Sequence, residues 1–271
     1  MSRIAVVGSL SRDTVSGAPP RPGGAVFYAG RALARVGSDA EIVTRCGAKD
    51  ADWMLPPLES FGLPVTFREG ERTTGFSFHY EGDHRVMQVD EVGDPWTVED
   101  VTAWVDDALR DTRWVQVGAL LRTDFDAGIL AQLGLGRHLL IDAQGLVRVA
   151  EVGPLQRDAR VDAAALASIT ILKLNEDEAH VLAGGVEVDL IRRLRIPEVV
   201  VTLGSAGALV VTESAFERIP AVVIDEIVDP TGAGDSFSAA YLHARSQDAA
   251  PIEAARFAND VAAELLRAPA R

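Results

Sequence analysis

Short runs of Val, Ile and Leu recur along the chain without polar alternation, and stretches with apolar residues three to four apart separate them. The first are strands buried on both faces and the second are helices that cover them, so the pattern predicts βαβ units around a parallel sheet. Strands are predicted at 4–7, 41–43, 115–117, 139–142, 169–172, 199–202 and 208–211. Helices are predicted at 26–36, 98–109, 125–133, 176–182, 188–194, 235–245 and 252–266. Between 64 and 90 the period drops to two, around Phe76–His79 and Arg85–Val89, with Glu81-Gly82-Asp83 between them. That predicts an antiparallel flap outside the main sheet. The Pro- and Gly-rich run at 17–24 reads as a loop, because Pro removes backbone donors and Gly permits positive φ. No Pro, Gly or Ser linker and no internal repeat divides the 271 residues, so one domain over 1–271 is expected, with a lid mainly from about 64–90.

Composition narrows this little: 48% hydrophobic and 24% charged residues are ordinary for a globular chain, and the length supports a full α/β core. Charge narrows it more. A formal net charge of −14 repels phosphate backbones and anionic lipid, and only two residues are lysine, Lys49 and Lys173. The lone cysteine, Cys46, forms neither an intramolecular disulfide nor a cysteine zinc site. The amino end lacks a basic-then-apolar leader pattern, and no run of about 18 apolar residues is present. The expectation is a soluble cytoplasmic protein with no nucleic-acid or membrane partner. Whether it forms a homodimer through the flap is left open.

The strongest local signal is Asp229-Pro230-Thr231-Gly232-Ala233-Gly234-Asp235, which follows an apolar segment and opens a long amphipathic helix. Glycines permit a tight turn at a helix start, where N–H groups lack intrahelical partners and the dipole is positive, so an anion is stabilised there. The amides of Gly232, Ala233 and Gly234 suit a transferring phosphoryl group, and Asp235 in the first turn is placed to take a proton from an attacking hydroxyl. A plain helix cap at Asp235 would produce the same residues. At the end of another strand, Lys173-Leu174-Asn175-Glu176-Asp177-Glu178 sets an amide and a carboxylate three apart on one helix face. Oxygen donors suit Mg²⁺, directly or through water, and an acidic first turn that complements the helix dipole is the equal alternative. Thr202-Leu203-Gly204-Ser205-Ala206-Gly207 ends a third strand in a turn where backbone can approach phosphate, and where a simple strand-to-strand turn serves as well.

Taken in order, Gly23-Gly24, Asn175 with Glu178, Thr202-Leu203-Gly204 and the Asp229–Asp235 segment resemble the ribokinase-like (PfkB) family of small-molecule kinases over nearly the whole chain. The resemblance implies a three-layer α/β/α sandwich with a mostly parallel sheet and a small, reduced β lid. It implies ATP and Mg²⁺ as cofactors, Asp235 as catalytic base, and Gly232, Ala233 and Gly234 as the anion hole. By the same resemblance Asn175 and Glu178 handle magnesium, and Thr202, Gly204, Gly207 and Thr231 approach the nucleotide, with Asn259 near the adenine. Asp13, Gly23 and Gly24 would bind the acceptor. Relatives that use a monovalent cation bind it partly at residues matching Asp229 and Thr231, and potassium dependence is left open here.

Rival phosphate signatures are absent: neither lysine follows a glycine as in G-x-x-x-x-G-K-[ST], and Val7-Gly8-Ser9-Leu10 stands where a dinucleotide fingerprint would begin. His79, His84, His138, His180 and His243 show no metal-ligand spacing. The run after Gly24 is Ala25-Val26-Phe27-Tyr28, unlike the small polar residues of ribose-specific relatives. Between Asp13 and Gly23 the chain is short for the lid strands of longer relatives, so Phe76, Phe78 and His79 are expected to exclude water. Asp142-Ala143-Gln144-Gly145, with Arg148 beyond it, resembles the pattern of short family members acting on cyclitols such as myo-inositol. Gln144 and Arg148 supply donors for ring hydroxyls. The expected reaction is γ-phosphoryl transfer from ATP to a hydroxyl of a small polyol, sugar or cyclitol. A nucleoside kinase of the same family, and a non-catalytic nucleotide or sugar sensor, are the alternatives.

Overall fold

In the computed structural model, which describes residues 3–81, 84–224 and 230–267, the apolar runs become a nine-stranded sheet. The strands in chain order are β1 (Arg3–Ser9), β2 (Ser11–Val15), β3 (Arg21–Gly23), β4 (Ala40–Gly47), β5 (Val65–Gly70), β6 (Thr74–Glu81) and β7 (His84–Glu91). They continue with β8 (Thr112–Gly118), β9 (His138–Asp142), β10 (Gly153–Pro154), β11 (Ile171–Asn175), β12 (Glu198–Thr202), β13 (Ala208–Thr212) and β14 (Phe216–Ile219). The large sheet runs β14-β13-β12-β11-β9-β8-β1-β4-β5, and β13 alone runs against the other strands. Strand alternation supplies two cores. Ala5, Val7, Val115, Val117, Leu139 and Ile141 face the helices Ala127–Leu133, Glu176–Ala183 and Val188–Arg192. Ile4, Val6, Leu140, Ile171 and Val200 face Ala25–Arg35, Ala233–Ser246 and Pro251–Arg267, whose many alanines let these three helices approach closely. The parallel sheet expected from the pattern, and the three-layer sandwich implied by the resemblance, are therefore present.

Some element boundaries differ from the sequence reading. Residues 65–70, read with the flap, are the edge strand β5 of the large sheet, and an edge strand looks polar because one side meets water. The small sheet runs β10-β7-β6-β2-β3, so residues 11–15 and 21–23 contribute strands to it despite the short connection. Pro22 is tolerated in β3 because that strand is an edge. The helix Ala48–Glu59 was not expected; it contains Pro56 and Pro57, and both fall in its last turn. The stretch 98–108 opens on a capping box between Thr97 and Asp100 and contains one wide turn over Val101–Val105. The turn at Gly82-Asp83 lies outside the described residues. Among the described residues no helix is long and apolar enough to cross a membrane.

At the end of the sheet away from the strands' carboxyl termini, Glu198 is a buried lock. Tyr241 donates its hydroxyl to Glu198 Oε1 at 2.5 Å, and Arg245 donates through Nε and Nη2, each at 3.0 Å. Burial, with the Glu198 charge beside it, raises the Tyr241 phenol far above its usual range. Removing one partner of such a cluster strands the others without water, so Glu198→Ala is expected to destabilise by about 3–5 kcal/mol in urea unfolding. A loss under about 1 kcal/mol would show that the cluster does not lock helix to sheet.

Candidate active site

The carboxyl ends of β1, β9, β11 and β12 meet the inner face of the small sheet across a cleft of about 920 Å³. The helix Ala233–Ser246 begins in its centre. Gly232 caps that helix at φ +78°, where a side chain would be strained, and a Cβ there would lie 2.1 Å from the Tyr28 ring. A Cβ on Gly234 would lie 2.8 Å from Lys173 Nζ. At Gly232 and Gly234 the backbone thus has no room for side chains; the Ala233 N–H donates to the Pro230 carbonyl at 3.2 Å, and this helix start, whose first N–H groups have no intrahelical partner, adjoins the cleft. Asp235 stands in the first turn and accepts a long hydrogen bond from Gln144 Nε2 at 3.4 Å. Gln116 Nε2 donates to the Asp235 carbonyl at 3.5 Å.

Behind Gly234 lies a buried ion pair, Lys173 Nζ to Asp142 Oδ2 at 2.8 Å, in which both side chains are about 5–6% exposed. Burial acts to lower the Lys173 pKa, but Asp142, Glu178 and Asp235 outweigh it and hold the ammonium above its usual range. Glu178 is pushed up by burial and by Asp142, with Lys173 and Arg148 opposing. Asn175 Oδ1 accepts from the Glu178 N–H at 2.8 Å and Glu178 Oε2 from the Asn175 N–H at 2.9 Å, a reciprocal capping box that opens the helix Glu176–Ala183. Among the described residues no group of three His, Cys, Asp or Glu is arranged to hold a metal ion directly.

Toward the small sheet, Ser11 Oγ donates to Asp13 Oδ1 at 2.7 Å, and Gly23 is packed so that a Cβ would strike the Asp13 carboxylate. Gly23 therefore stands behind Asp13, while Asp13, Gly24, Gln144 and Arg148 line the cleft. Phe76 and Phe78 turn inward onto Leu120 and Leu121. His79, one residue out of phase, lies on the outer face beside Glu81, so it does not join the expected water-excluding wall. At the other end, Thr202, Gly204, Gly207 and Asn259 line the same cleft, as does Thr231. Gly207, at φ +92°, abuts the Ile219 carbonyl, and Asn259 Nδ2 donates to the Pro220 carbonyl at 3.1 Å. Asp229 lies outside the described residues. The sequence reading gave no role to Lys173 or Asp142. A lysine inside the apolar strand Ile-Leu-Lys-Leu-Asn was the available signal, since a buried ammonium requires a partner.

A glycine-built helix start at the carboxyl ends of a parallel sheet, with a carboxylate in its first turn, fits the ribokinase-like class of α/β phosphotransferases acting on hydroxyl groups. The chain belongs to the pfkB family of carbohydrate kinases, whose profile matches residues 14–269. It is similar to the bifunctional protein HldE of Caulobacter sp. (strain K31), 28% identical over 248 residues, which cover 84% of this chain and 48% of that protein. It thus spans about half of that relative. It is also similar to the aminoimidazole riboside kinase of Salmonella typhimurium (strain LT2), 25% identical over 282 residues, covering 91% and 82% of the two chains. Among solved structures it resembles a pyrophosphate-dependent kinase in the ribokinase family complexed with a pyrophosphate analog and myo-inositol. There the TM-score is 0.85 at 24% identity, covering 98% and 96% of the two chains. It also resembles Arabidopsis thaliana ribokinase complexed with ribose and ATP, with a TM-score of 0.75 at 20% identity over 99% and 94%. At these identities the structural likeness is one of fold.

Asp124 shapes the wall that carries Leu120. Its Oδ2 accepts from the Leu120 N–H at 2.8 Å and the Leu121 N–H at 3.2 Å, and burial raises its carboxyl from 3.8 to about 6 against the opposing charges of Arg45 and Arg148. A carboxyl raised on folding adds stability below its unfolded pKa and loses it as pH rises through the folded one. The stability difference between wild type and Asp124→Asn, which keeps an acceptor oxygen, should therefore fall between pH about 4 and pH about 6. The full window is worth up to about 3 kcal/mol. Urea unfolding of both proteins across that window measures it, and a flat difference would mean that Asp124 titrates normally.

Proposed function

We propose that the chain transfers the γ-phosphoryl group of ATP to a hydroxyl of a small polyol, sugar or cyclitol. The observation that carries this reading is Asp235 in the first turn of a helix whose glycine start leaves N–H groups beside the cleft, with Gln144 on its carboxylate. The Asp235 carboxylate takes the proton of the acceptor hydroxyl as its oxygen forms a bond to the γ-phosphorus. The bond from that phosphorus to the bridging oxygen breaks, the electron pair stays on the leaving ADP, and the amides of Gly232, Ala233 and Gly234 meet the charge on the transferring oxygens. Asp13, Gln144 and Arg148 would orient the acceptor by hydrogen bonds, and Phe76 and Phe78 would exclude water behind it.

Magnesium would neutralise the donor phosphates. The capping box occupies Asn175 Oδ1 and Glu178 Oε2, which fits an ion that keeps its waters and meets these residues through them. Beyond the phosphates the cleft continues between residues 221–224 and Asn259, Ala262 and Leu266, an apolar slot of the kind that takes a nucleobase, which supports ATP as donor. Use of ATP as the donor fits a cytoplasmic location. The name of the riboside kinase relative favours a second reading, a nucleoside acceptor. Stacking of its base on Tyr28 is opposed by Gly232, which covers that ring, and Phe27 packs on Phe61.

ADP release by the purified protein, with Mg-ATP and a panel of cyclitols, hexoses, ribose, sugar acids and nucleosides, tests the reading. Turnover with one acceptor class is expected, and donor binding without any turnover would support a sensor instead. Asp235→Asn should lower kcat by about 10²- to 10⁴-fold with thermal stability retained. Unchanged kcat would remove Asp235 from the mechanism. EDTA should abolish turnover and excess Mg²⁺ should restore it, and activity that survives chelation would exclude a magnesium-bound donor.

A further inference from the structure

Of the two lysines, Lys49 sits on the surface against Glu91, whereas Lys173 is buried at the cleft wall. One of its three N–H groups donates to Asp142, which leaves two for an oxygen entering the cleft. Its Nζ touches the anion loop closely enough that a single methyl on Gly234 would collide with it. A buried ion pair is commonly no more stabilising than an apolar pair of the same volume, so stability alone gives no account of an ammonium at this point. Asp142 also accepts from the Gln144 N–H at 3.3 Å, and Gln144 reaches Asp235, so one chain of contacts runs from the ammonium to the carboxylate of the first helical turn.

We propose that Lys173 is a catalytic residue of phosphoryl transfer, its ammonium receiving a non-bridging oxygen of the phosphoryl group in flight, and that Asp142 is the positioning residue that fixes it against Gly234. This rests on the kinase reading above. The acceptor oxygen forms its bond to phosphorus and gives its proton to Asp235, while the bridging bond breaks and leaves its electron pair on the donor fragment. Lys173 keeps its proton throughout and gains its strongest contact when charge on the equatorial oxygens is greatest. The arrangement does not depend on the nucleobase, so it serves ATP and pyrophosphate alike as donors of a terminal phosphoryl group.

The test compares wild type with Lys173→Met and with Lys173→Met/Asp142→Asn, which removes both charges of the ion pair. The expected result is a kcat lower by about 10²- to 10³-fold with donor and acceptor KM changed less than about threefold. Binding of ADP with aluminium fluoride, a mimic of the phosphoryl group in flight, should weaken by at least about 50-fold, and that of a non-hydrolysable ATP analogue by less than about threefold. A merely structural role would weaken both ligands together. Should the double variant melt below assay temperature, Lys173→Gln, whose amide keeps a hydrogen bond to Asp142, takes its place in the same comparison. A folded variant with kcat within about threefold of wild type, or with equal loss for the two ligands, overturns the proposal alone. Wild-type protein that neither turns over nor binds Mg-ATP overturns the kinase reading and this proposal with it.

Discussion

A helix start with no room for side chains on two sides is the constraint around which the molecule is arranged. Gly232 is closed in by the Tyr28 ring and Gly234 by Lys173, so the backbone at the start of Ala233–Ser246 lies directly against its neighbours. The consequences run outward from there. Tyr28 belongs to Ala25–Arg35, which Gly24 caps at φ +90°, so two glycine-started helices open onto the same cleft from one face of the sheet. Ser236 Oγ donates to the Tyr28 carbonyl at 3.4 Å and keeps the two helices in register. Their alanine-rich faces then let Pro251–Arg267 pack alongside, which carries Asn259 to the far end of the cleft.

The charge pattern follows the same geometry. A chain of net charge −14 sets two buried cations at the cleft: Lys173 among Asp142, Glu178 and Asp235, and Arg148. Each buried charge would be costly alone, and each is set beside an opposite one. The acidic exterior and these two buried cations have different consequences. The exterior disfavours polyanions of large size, while the two cations line a cleft sized for a small molecule.

Much of this was legible in the residues. Parallel strands show themselves as apolar runs because both faces are covered, and the central strands were found for that reason. What escaped were the elements at the margins. β3 and β5 are edges, where Pro22 and polar side chains are permitted, and the helix Ala48–Glu59 hides behind two prolines that fall in its last turn. In the site, residues carried by a contiguous motif, such as Gly232 to Asp235, could be read because their spacing is local. Lys173 and Asp142 meet across 31 positions, and only the pairing of β9 with β11 brings them together. His79 was misassigned by one residue, which in a strand is the difference between the inner face and the outer.

The small sheet is tied to the body at both ends, and this bears on how water is kept from the cleft. At one end Arg12 of β2 joins Glu91 of β7 at 2.9 Å and Asp50 of the helix Ala48–Glu59 at 3.5 Å. At the other, the segment that follows Arg148 sends Gly153–Pro154 to pair with β7, and the Leu155 N–H donates to the Met87 carbonyl. The apolar cluster of Phe76, Phe78, Val89, Leu120 and Leu121 lies between these ties. Opening the sheet would expose that cluster, so the closed arrangement is favoured before any ligand enters, at roughly 25 cal/mol for each Å² of apolar surface kept from water. Arg148 sits where the second tie begins, so the side chain that lines the cleft and the segment that pairs with β7 are carried by one stretch of backbone.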